Sequence, residues 1–387
     1  MINYVRLLFI IKFVWKKPQH KKVLIYDRSN LYFFLKYFKK KDLSVLDIRR
    51  ESINIPIFFF TLFNSGLKNL FINYVLNYIH CVNPSVIVTM TDTDLRFYQL
   101  KNKLNISPKI IAIQNGLIGS RNFFENSHKE INRKKLKLCC DYIFCINKAI
   151  ISRYSKIIKA NFFSIGSFKN NTISIKKKRK NYILFISQFT KPKKNLNDIF
   201  LKNKNTAVTY GKFYNSDITV LEKLNSFCNK KNIKLFIKLR DPGSSEEKDF
   251  YYKNLSFSNI NFKSTISEVH NYQMLDTARV IVFLDSFMGY EAFARGKKVA
   301  SFSVRGRIIK MSNANFADNQ VTNHGYFWTN GNSQKRFTRI MNRVLDTSNS
   351  DWNVIKKKIE NNIILYDKNN DKFKKLIKKI VSSKILK

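Results

Sequence analysis

Residues 265–303, TISEVHNYQMLDTARVIVFLDSFMGYEAFARGKKVASFS, constrain the fold more than any other stretch. Val280–Leu284 is a short, β-branched, uninterrupted apolar run, which suits a parallel strand covered on both faces. A helical pattern ends before it, near Thr277. Asp285 and Ser286 form a polar turn after it, and a second helix runs from Gly289 to Ala294, closed by Gly296. Lys298–Phe302 is the next strand. Such a unit places the Asp285-Ser286 turn and a helix N-terminus at the carboxyl edge of a parallel sheet. Open α/β sheets bind ligands at that edge, and a helix N-terminus favours phosphate. Glu291 falls in the first turn of this helix. From there it either reaches a ribose beside the phosphate or serves the helix dipole as a solvated charge.

The same alternation runs through the chain. Strands are expected at 23–27, 44–47, 85–90, 109–113, 141–146 and 162–167, with helices at 31–38, 57–79, 95–104 and 148–159 between them. Residues 168–181 are polar with a basic run at Lys176–Lys180 and read as a linker. The pattern then restarts with a strand at 182–188, a helix at 217–230, a strand at 234–240 and the stretch described above. Basic amphipathic helices follow at 334–346 and 351–384. A chain of 387 residues accommodates two α/β domains. Polar residues end several strands: Asp92 and Asp94 after the third, Gln114, Asn115 and Gly116 after the fourth, Ser187 after 182–188, and Lys238 and Arg240 near Asp241.

The arrangement Asp285-Ser286-x-x-Gly289-Tyr290-Glu291-Ala292, followed by Ala294-Arg295-Gly296-Lys297-Lys298-Val299, resembles the donor-nucleotide half of GT-B glycosyltransferases. It is most similar to transferases of bacterial surface-carbohydrate (O-antigen or capsule) biosynthesis. The resemblance implies an α/β fold of two doubly wound, Rossmann-like parallel-sheet domains facing a cleft. Residues 1–168 would form the acceptor side, 169–181 the linker, 182–346 the nucleotide-sugar domain, and 347–387 C-terminal helices that return to the first domain. By the same resemblance Glu291 holds the nucleotide ribose. Ser286 and Gly289 hold phosphate, with Asp285 and Tyr290 beside them. Ser187 and the basic pair Lys238 and Arg240 face the donor diphosphate, where the Arg fork suits phosphate oxygens.

Gln114-Asn115-Gly116 resembles a loop in the same transferases. Asn115 cannot accept a proton as a His there would, so these amides bind or orient. Asp92 and Asp94 are the candidates for a general base on the acceptor hydroxyl; a capped strand-to-helix turn explains them equally well. Asn323–Trp328 includes a Gly-Tyr-Phe-Trp piece whose aromatics are expected to pack. The implied donor is a nucleotide sugar and the acceptor a glycan or a lipid-linked glycan, with no metal and no cofactor required. Alternatives on this scaffold are a nucleotide-sugar epimerase or a CDP-glycerol-type glycerophosphotransferase.

Composition limits the other classes. Hydrophobic residues make up 44% of the chain and aromatics 14%, which excludes a disordered protein. The formal net charge of +45 invites a non-enzymatic, polyanion-binding reading. The charge is spread evenly and is mostly Lys, and no nucleic-acid signature accompanies it, so nucleic acid is not the expected partner. An anionic membrane surface is. Cys81, Cys139, Cys140, Cys145 and Cys228 show no paired spacing and read as core residues of a reducing compartment. Residues 5–15 are interrupted by Lys12 and too short to span a bilayer, and Ile55–Ile79 is too polar, so it reads as a buried or interfacial helix. The expected location is cytoplasmic, peripheral at the inner face of the membrane.

Overall fold

The computed structural model describes residues 11–49, 51–116, 121–176, 180–192, 195–203, 206–241, 243–265, 267–308, 316–319 and 321–380. The chain forms two compact units. One comprises Met1–Gly116, Asn122–Thr172 and Asp367–Lys387; the other comprises Leu117–Arg121 and Ile173–Tyr366.

The first unit is built on six parallel strands: β1 (Val23–Tyr26), β2 (Leu43–Leu46), β3 (Val86–Thr89), β4 (Lys109–Ile113), β5 (Cys139–Cys145) and β6 (Lys159–Ser164), in the order β2-β1-β3-β4-β5-β6. Each of the four β1 residues is fully buried, as an all-apolar strand between helical layers should be. The strand order reverses between β1 and β3. The turn after β1 and the one after β3 are joined there by a hydrogen bond from the Thr91 hydroxyl to Asp27, at 2.6 Å.

The apolar stretch expected as one helix over 57–79 is two, Ile55–Ser65 and Leu70–Val82. Gly66 stops the first, because its φ of 58° lies in the left-handed region where an L side chain is strained. Asn54 starts that helix by accepting from the Ile57 amide at 3.2 Å. Three other boundaries move. The turn after β3 leads into a short 3-10 helix, Phe97–Asn102; the helix from Lys148 stops at Tyr154; and Phe168–Thr172 of the expected linker is helical. Residues 177–179 of the basic run lie outside the described residues. The last expected helix, 351–384, is also broken, into Asn349–Ile363 and Asp371–Ile380. Asn369 and Asn370, with φ of 57° and 54°, make the break.

Asn370 is the polar anchor of the C-terminal segment within the first unit. Its buried amide nitrogen donates to the Phe168 carbonyl (2.8 Å), the Tyr37 hydroxyl (2.7 Å) and Thr172 Oγ1 (2.9 Å), and its oxygen accepts from Asn171 (2.9 Å). Phe373 follows one helical turn later and packs against the rings of Tyr37, Phe144 and Phe168.

The second unit has its own six parallel strands: β7 (Tyr182–Ile186), β8 (Lys234–Lys238), β9 (Phe262–Lys263), β10 (Val280–Phe283), β11 (Val299–Phe302) and β12 (Trp328–Thr329). They lie in the order β9-β8-β7-β10-β11-β12. The sheet begins at its centre with β7, runs out to β9 and returns to β10. A 22-residue helix, Tyr210–Lys231, packs against β8. The aromatics of the Gly325-Tyr326-Phe327-Trp328 piece close the core as expected: Phe327 stacks on Phe293, and Trp328 on Phe316. Among the described residues no helix is long and apolar enough to cross a membrane.

Replacing Asn370 by Ala removes the acceptor of one Asn171 amide hydrogen and the donor to the Tyr37 hydroxyl and the Phe168 carbonyl in the interior. The variant is expected to lose about 2–3 kcal/mol from the unfolding transition of the first unit, measured by chemical denaturation. A loss below about 0.5 kcal/mol contradicts the anchoring role.

Candidate functional site

In an open parallel sheet the ligand crevice lies outside the carboxyl ends of the two strands where the order reverses. In the second unit these are β7 and β10. The residues that follow them are Ser187-Gln188-Phe189-Thr190 and Leu284-Asp285-Ser286, flanked by Arg240 after β8 and Arg305 after β11.

Arg305 holds this edge together. Its guanidinium is almost wholly buried, pairs with Asp217 at 2.5 Å, and also donates to Asp285 (2.5 Å), the Gln188 side chain (2.6 Å) and the Ser216 hydroxyl (3.1 Å). It lies over the Phe213 ring at 4.2 Å. One side chain thus joins the loops after β7, β10 and β11 to the Tyr210–Lys231 helix. Burial pushes the Asp217 carboxyl up, and the Arg305 charge draws it back. Arg305 was not among the sequence candidates, because a lone Arg after a strand has no motif; the buried Asp217 in an otherwise apolar helical face was the available signal.

A second buried carboxylate sets the β7 and β8 loops. Glu247 is fully buried and accepts from the Ser187 hydroxyl and from the amides of Arg240 (3.0 Å) and Asp241 (3.1 Å). Tyr251 donates to Ser187 at 2.7 Å. Ser187 is therefore engaged in fixing the loop, and Glu247 also escaped the sequence reading. Its signal is Ser244-x-x-Glu247, in which Ser244 caps the Ser245–Asn254 helix at the Glu247 amide.

Lys238 and Arg240 part company here. Lys238 is buried, and its ammonium donates to the Leu239 carbonyl at 3.0 Å; burial holds it below the usual lysine range. Arg240 is exposed and lies over the β7 loop, donating to the Gln188 carbonyl (3.3 Å) and to the Thr190 hydroxyl. Of the two, Arg240 is the cation at the surface of the edge.

The helix after β10 begins earlier than expected, at Phe287, with Ser286 as N-cap. The Ser286 hydroxyl makes no capping bond, and the amides of Phe287 and Met288 have no acceptor inside the helix. Glu291 consequently lies at the fifth helical position, past the first turn, and is buried with its carboxylate accepting from the Tyr272 hydroxyl at 2.8 Å. Gly289 permits close packing: a Cβ there would stand 2.2 Å from the Phe283 ring. The Tyr290 ring stacks on Phe316, and its hydroxyl accepts from the Ala317 amide at 2.9 Å. Arg295 is buried against Asp276 at 2.6 Å and donates to the carbonyls of Ile173 (2.9 Å) and Ser174 (3.0 Å).

The carboxylates of the first unit are also engaged. Asp92 is buried, accepting from the Tyr154 hydroxyl at 2.5 Å and from the Asn115 amide at 3.2 Å. Burial pushes its carboxyl up to about 6, and these two hydrogen bonds restrain the rise. Asp94 is gripped by the Arg96 fork (2.8 and 2.9 Å) and by Tyr26 (3.3 Å). Gln114 clamps its loop, accepting from the Ile146 amide (2.9 Å) and donating to the Gly116 carbonyl (2.8 Å). Asn115 differs: its side-chain oxygen is buried and has no hydrogen-bond partner among the described residues.

Residues 111–381 match the model of a family described as "putative O-antigen biosynthesis protein". The chain belongs to this family. The matched span takes in the whole β7–β12 sheet. No curated protein matches the sequence. Among solved structures, UDP-GlcNAc 2-epimerase from Methanocaldococcus jannaschii shares 14% identity at a TM-score of 0.51, over 92% of this chain and 99% of that one. The S. aureus MnaA–UDP co-structure shares 12% at the same TM-score, over 94% and 98%. These likenesses are likenesses of fold, and the fold is GT-B. The family member described here thus carries two parallel sheets with C-terminal helices, as its donor-half motif implied.

Two predictions follow from the buried groups. Arg305→Met leaves Asp217 charged and unpaired in the core and is expected to cost about 3–5 kcal/mol; Asp217→Leu in the same chain recovers most of it. Denaturation of the single and double variants measures this, and no recovery contradicts the pairing. Asp92 has a folded value above the ordinary 3.8, so its stabilising effect is complete below that value and is lost as pH rises through about 6. The wild type is expected to lose roughly 3 kcal/mol between about pH 4 and 7 at this group. Asp92→Asn removes that slope; an unchanged slope refutes the assignment.

Proposed function

We propose that this protein is a glycosyltransferase. It moves a sugar from a nucleotide-sugar donor to a glycan or lipid-linked acceptor in the assembly of a bacterial surface polysaccharide. The observation that carries this reading is the family match over residues 111–381, which includes the complete carboxyl edge described above. The chemistry requires a leaving diphosphate to be stabilised by fixed positive and dipolar groups. Arg240 and the N-terminus of the Phe287–Ala294 helix supply them, with the Ser286 hydroxyl beside the free amides. Arg305 cannot, since Asp217 and Asp285 already take its charge. No metal is needed for this step.

Glu291 is assigned to the ribose, supported by the resemblance and by its carboxylate standing one turn behind the phosphate-facing amides. Tyr272 then orients that carboxylate. Ser187, Asp285 and Lys238 act through the strand-end positions they hold, and Gly289 and Tyr290 through the packing of the Phe287–Ala294 helix. On the acceptor side, Asp92 is preferred to Asp94 as base, because burial brings its carboxyl up to about 6, near neutral pH, whereas the Asp94 oxygens are taken up by the Arg96 fork. Asn115, with its unpartnered oxygen, orients the acceptor, and Gln114 and Gly116 shape its loop. The protein works at the inner face of the cytoplasmic membrane.

A thermal-shift screen against UDP-, GDP-, CMP- and dTDP-sugars tests the donor class, with selective stabilisation by one nucleotide expected. Glu291→Ala and Arg240→Ala are each expected to weaken that nucleotide about tenfold or more, roughly 1.4 kcal/mol. Unchanged nucleotide affinity in Glu291→Ala sinks the ribose role. An altered sugar formed without any acceptor identifies an epimerase instead.

A further inference from the structure

Large exposed apolar side chains concentrate in one layer of the first unit. Six of the eleven recorded among the described residues fall in two segments that pair with each other. They are Phe13 (41% exposed) and Trp15 (74%) on one, and Phe59 (47%), Phe60 (56%), Phe63 (83%) and Leu67 (79%) on the other. Clustering of this kind marks an interaction surface, whereas the remaining five are scattered.

The helix Ile55–Ser65 buries Ile57 and Thr61, one turn apart. Phe59, Phe60 and Phe63 occupy the outward positions where a soluble helix carries polar groups. The Phe59 and Phe63 rings stack on each other, 6.4 Å apart. The strand Lys12–Val14 runs parallel to Ser52–Asn54, with Val14 opposite Asn54, and the Asn54 amide donates to the Lys16 carbonyl at 2.8 Å. Trp15 therefore stands beside the first turn of the Phe helix. A cavity of about 280 Å³ opens in the same layer, lined mainly by apolar side chains, among them Ile11, Ile53, Phe58 and Phe71, with Asp47 and Ser52 also on its wall.

The charges around this surface are mostly basic, and the acids at its edge are Glu51 and the buried Asp47, which is paired with Arg28. Lys12, Lys16, Lys17 and Lys68 are exposed, and no Asp or Glu occurs in residues 11–22 or 52–83. A second copy of the chain is a poor occupant, because a symmetric contact sets these lysines against themselves in a chain of net charge +45. We propose that this face docks on an anionic bilayer, with Trp15, Phe60, Phe63 and Leu67 entering the headgroup–acyl boundary and the lysines meeting lipid phosphates. Aromatic side chains settle at that boundary, and a lysine near it adds attraction that salt weakens. The inference rests on the membrane part of the proposed function and gives it a surface; it does not depend on the donor chemistry.

The test uses the full chain and vesicles of phosphatidylcholine with or without phosphatidylglycerol, reading both sedimentation and tryptophan emission. Trp328 and Trp352 are buried in the other unit, so a blue shift reports Trp15. Binding and a blue shift are expected only with phosphatidylglycerol. Phe60→Ser with Phe63→Ser is expected to lower partitioning about tenfold or more and to abolish the shift. Lys16→Ala with Lys17→Ala is expected to lower it less and to flatten its salt dependence. Because these side chains are exposed, the melting temperature should hold, and nucleotide-sugar stabilisation should be unaltered, which separates this proposal from the donor reading. Sedimentation with no change in Trp15 emission means attachment by diffuse charge and overturns the proposal. So does undiminished partitioning of the Phe variant, or a wild-type dimer in ultracentrifugation that this variant loses.

Discussion

The second unit depends on a single buried guanidinium. Arg305 brings together two carboxylates, an amide side chain and a hydroxyl from two other loops and a helix. Only Arg has the donor count and the planar fork to do so from one position. Either carboxylate alone would be costly to bury, and Arg305 alone would be worse. Its presence also settles a matter of charge. Two carboxylates and one guanidinium leave this cluster slightly negative, so in the proposed reading the attraction for a donor diphosphate comes from the surface of the edge, where Arg240 and the helix N-terminus lie.

The residues of the Gly289–Lys298 segment that carry the resemblance make most of their contacts inward. Gly289 lets a helix lie against Phe283, Tyr290 packs on Phe316, and Arg295 ties the Ile173–Ser174 backbone into the unit through Asp276. Lys297 donates to the Asp276 carbonyl, and Lys298 to the carbonyls of Leu345 and Thr347. The segment that the resemblance assigns to a ligand thus serves as scaffold in the structure. The first unit repeats the arrangement: Asp92 binds its own turn to Tyr154 and Asn115. In both units a polar atom without such an engagement, the Ser286 hydroxyl that makes no capping bond and the unpartnered Asn115 oxygen, sits beside residues that hold position.

Much of this architecture was legible in residue order. Uninterrupted apolar runs such as Val23–Tyr26 and Val280–Phe283 have one stable use, as parallel strands buried on both faces, and their alternation with helical patterns specified two doubly wound sheets. Element boundaries were less legible where a single backbone angle decides them. Gly66 and the Asn369-Asn370 pair split helices whose side-chain pattern runs on through the break. The pattern reports which face is apolar, while a left-handed residue ends a helix whatever its face.

The sequence by itself determined the fold class, the strand-end positions of the polar residues and the family resemblance, because hydrophobic periodicity and turn chemistry are local properties. Only the tertiary structure decided which polar residues are committed and which are open. Arg305 and Asp217 lie 88 residues apart, and Ser187 and Glu247 lie 60 apart. Local pattern hints that Asp217 or Glu247 is buried, but it does not name the distant partner that makes the burial possible. Tertiary packing separated Lys238 from Arg240 two residues away, and placed Glu291, expected in the first turn of its helix, past that turn in a buried hydrogen bond with Tyr272.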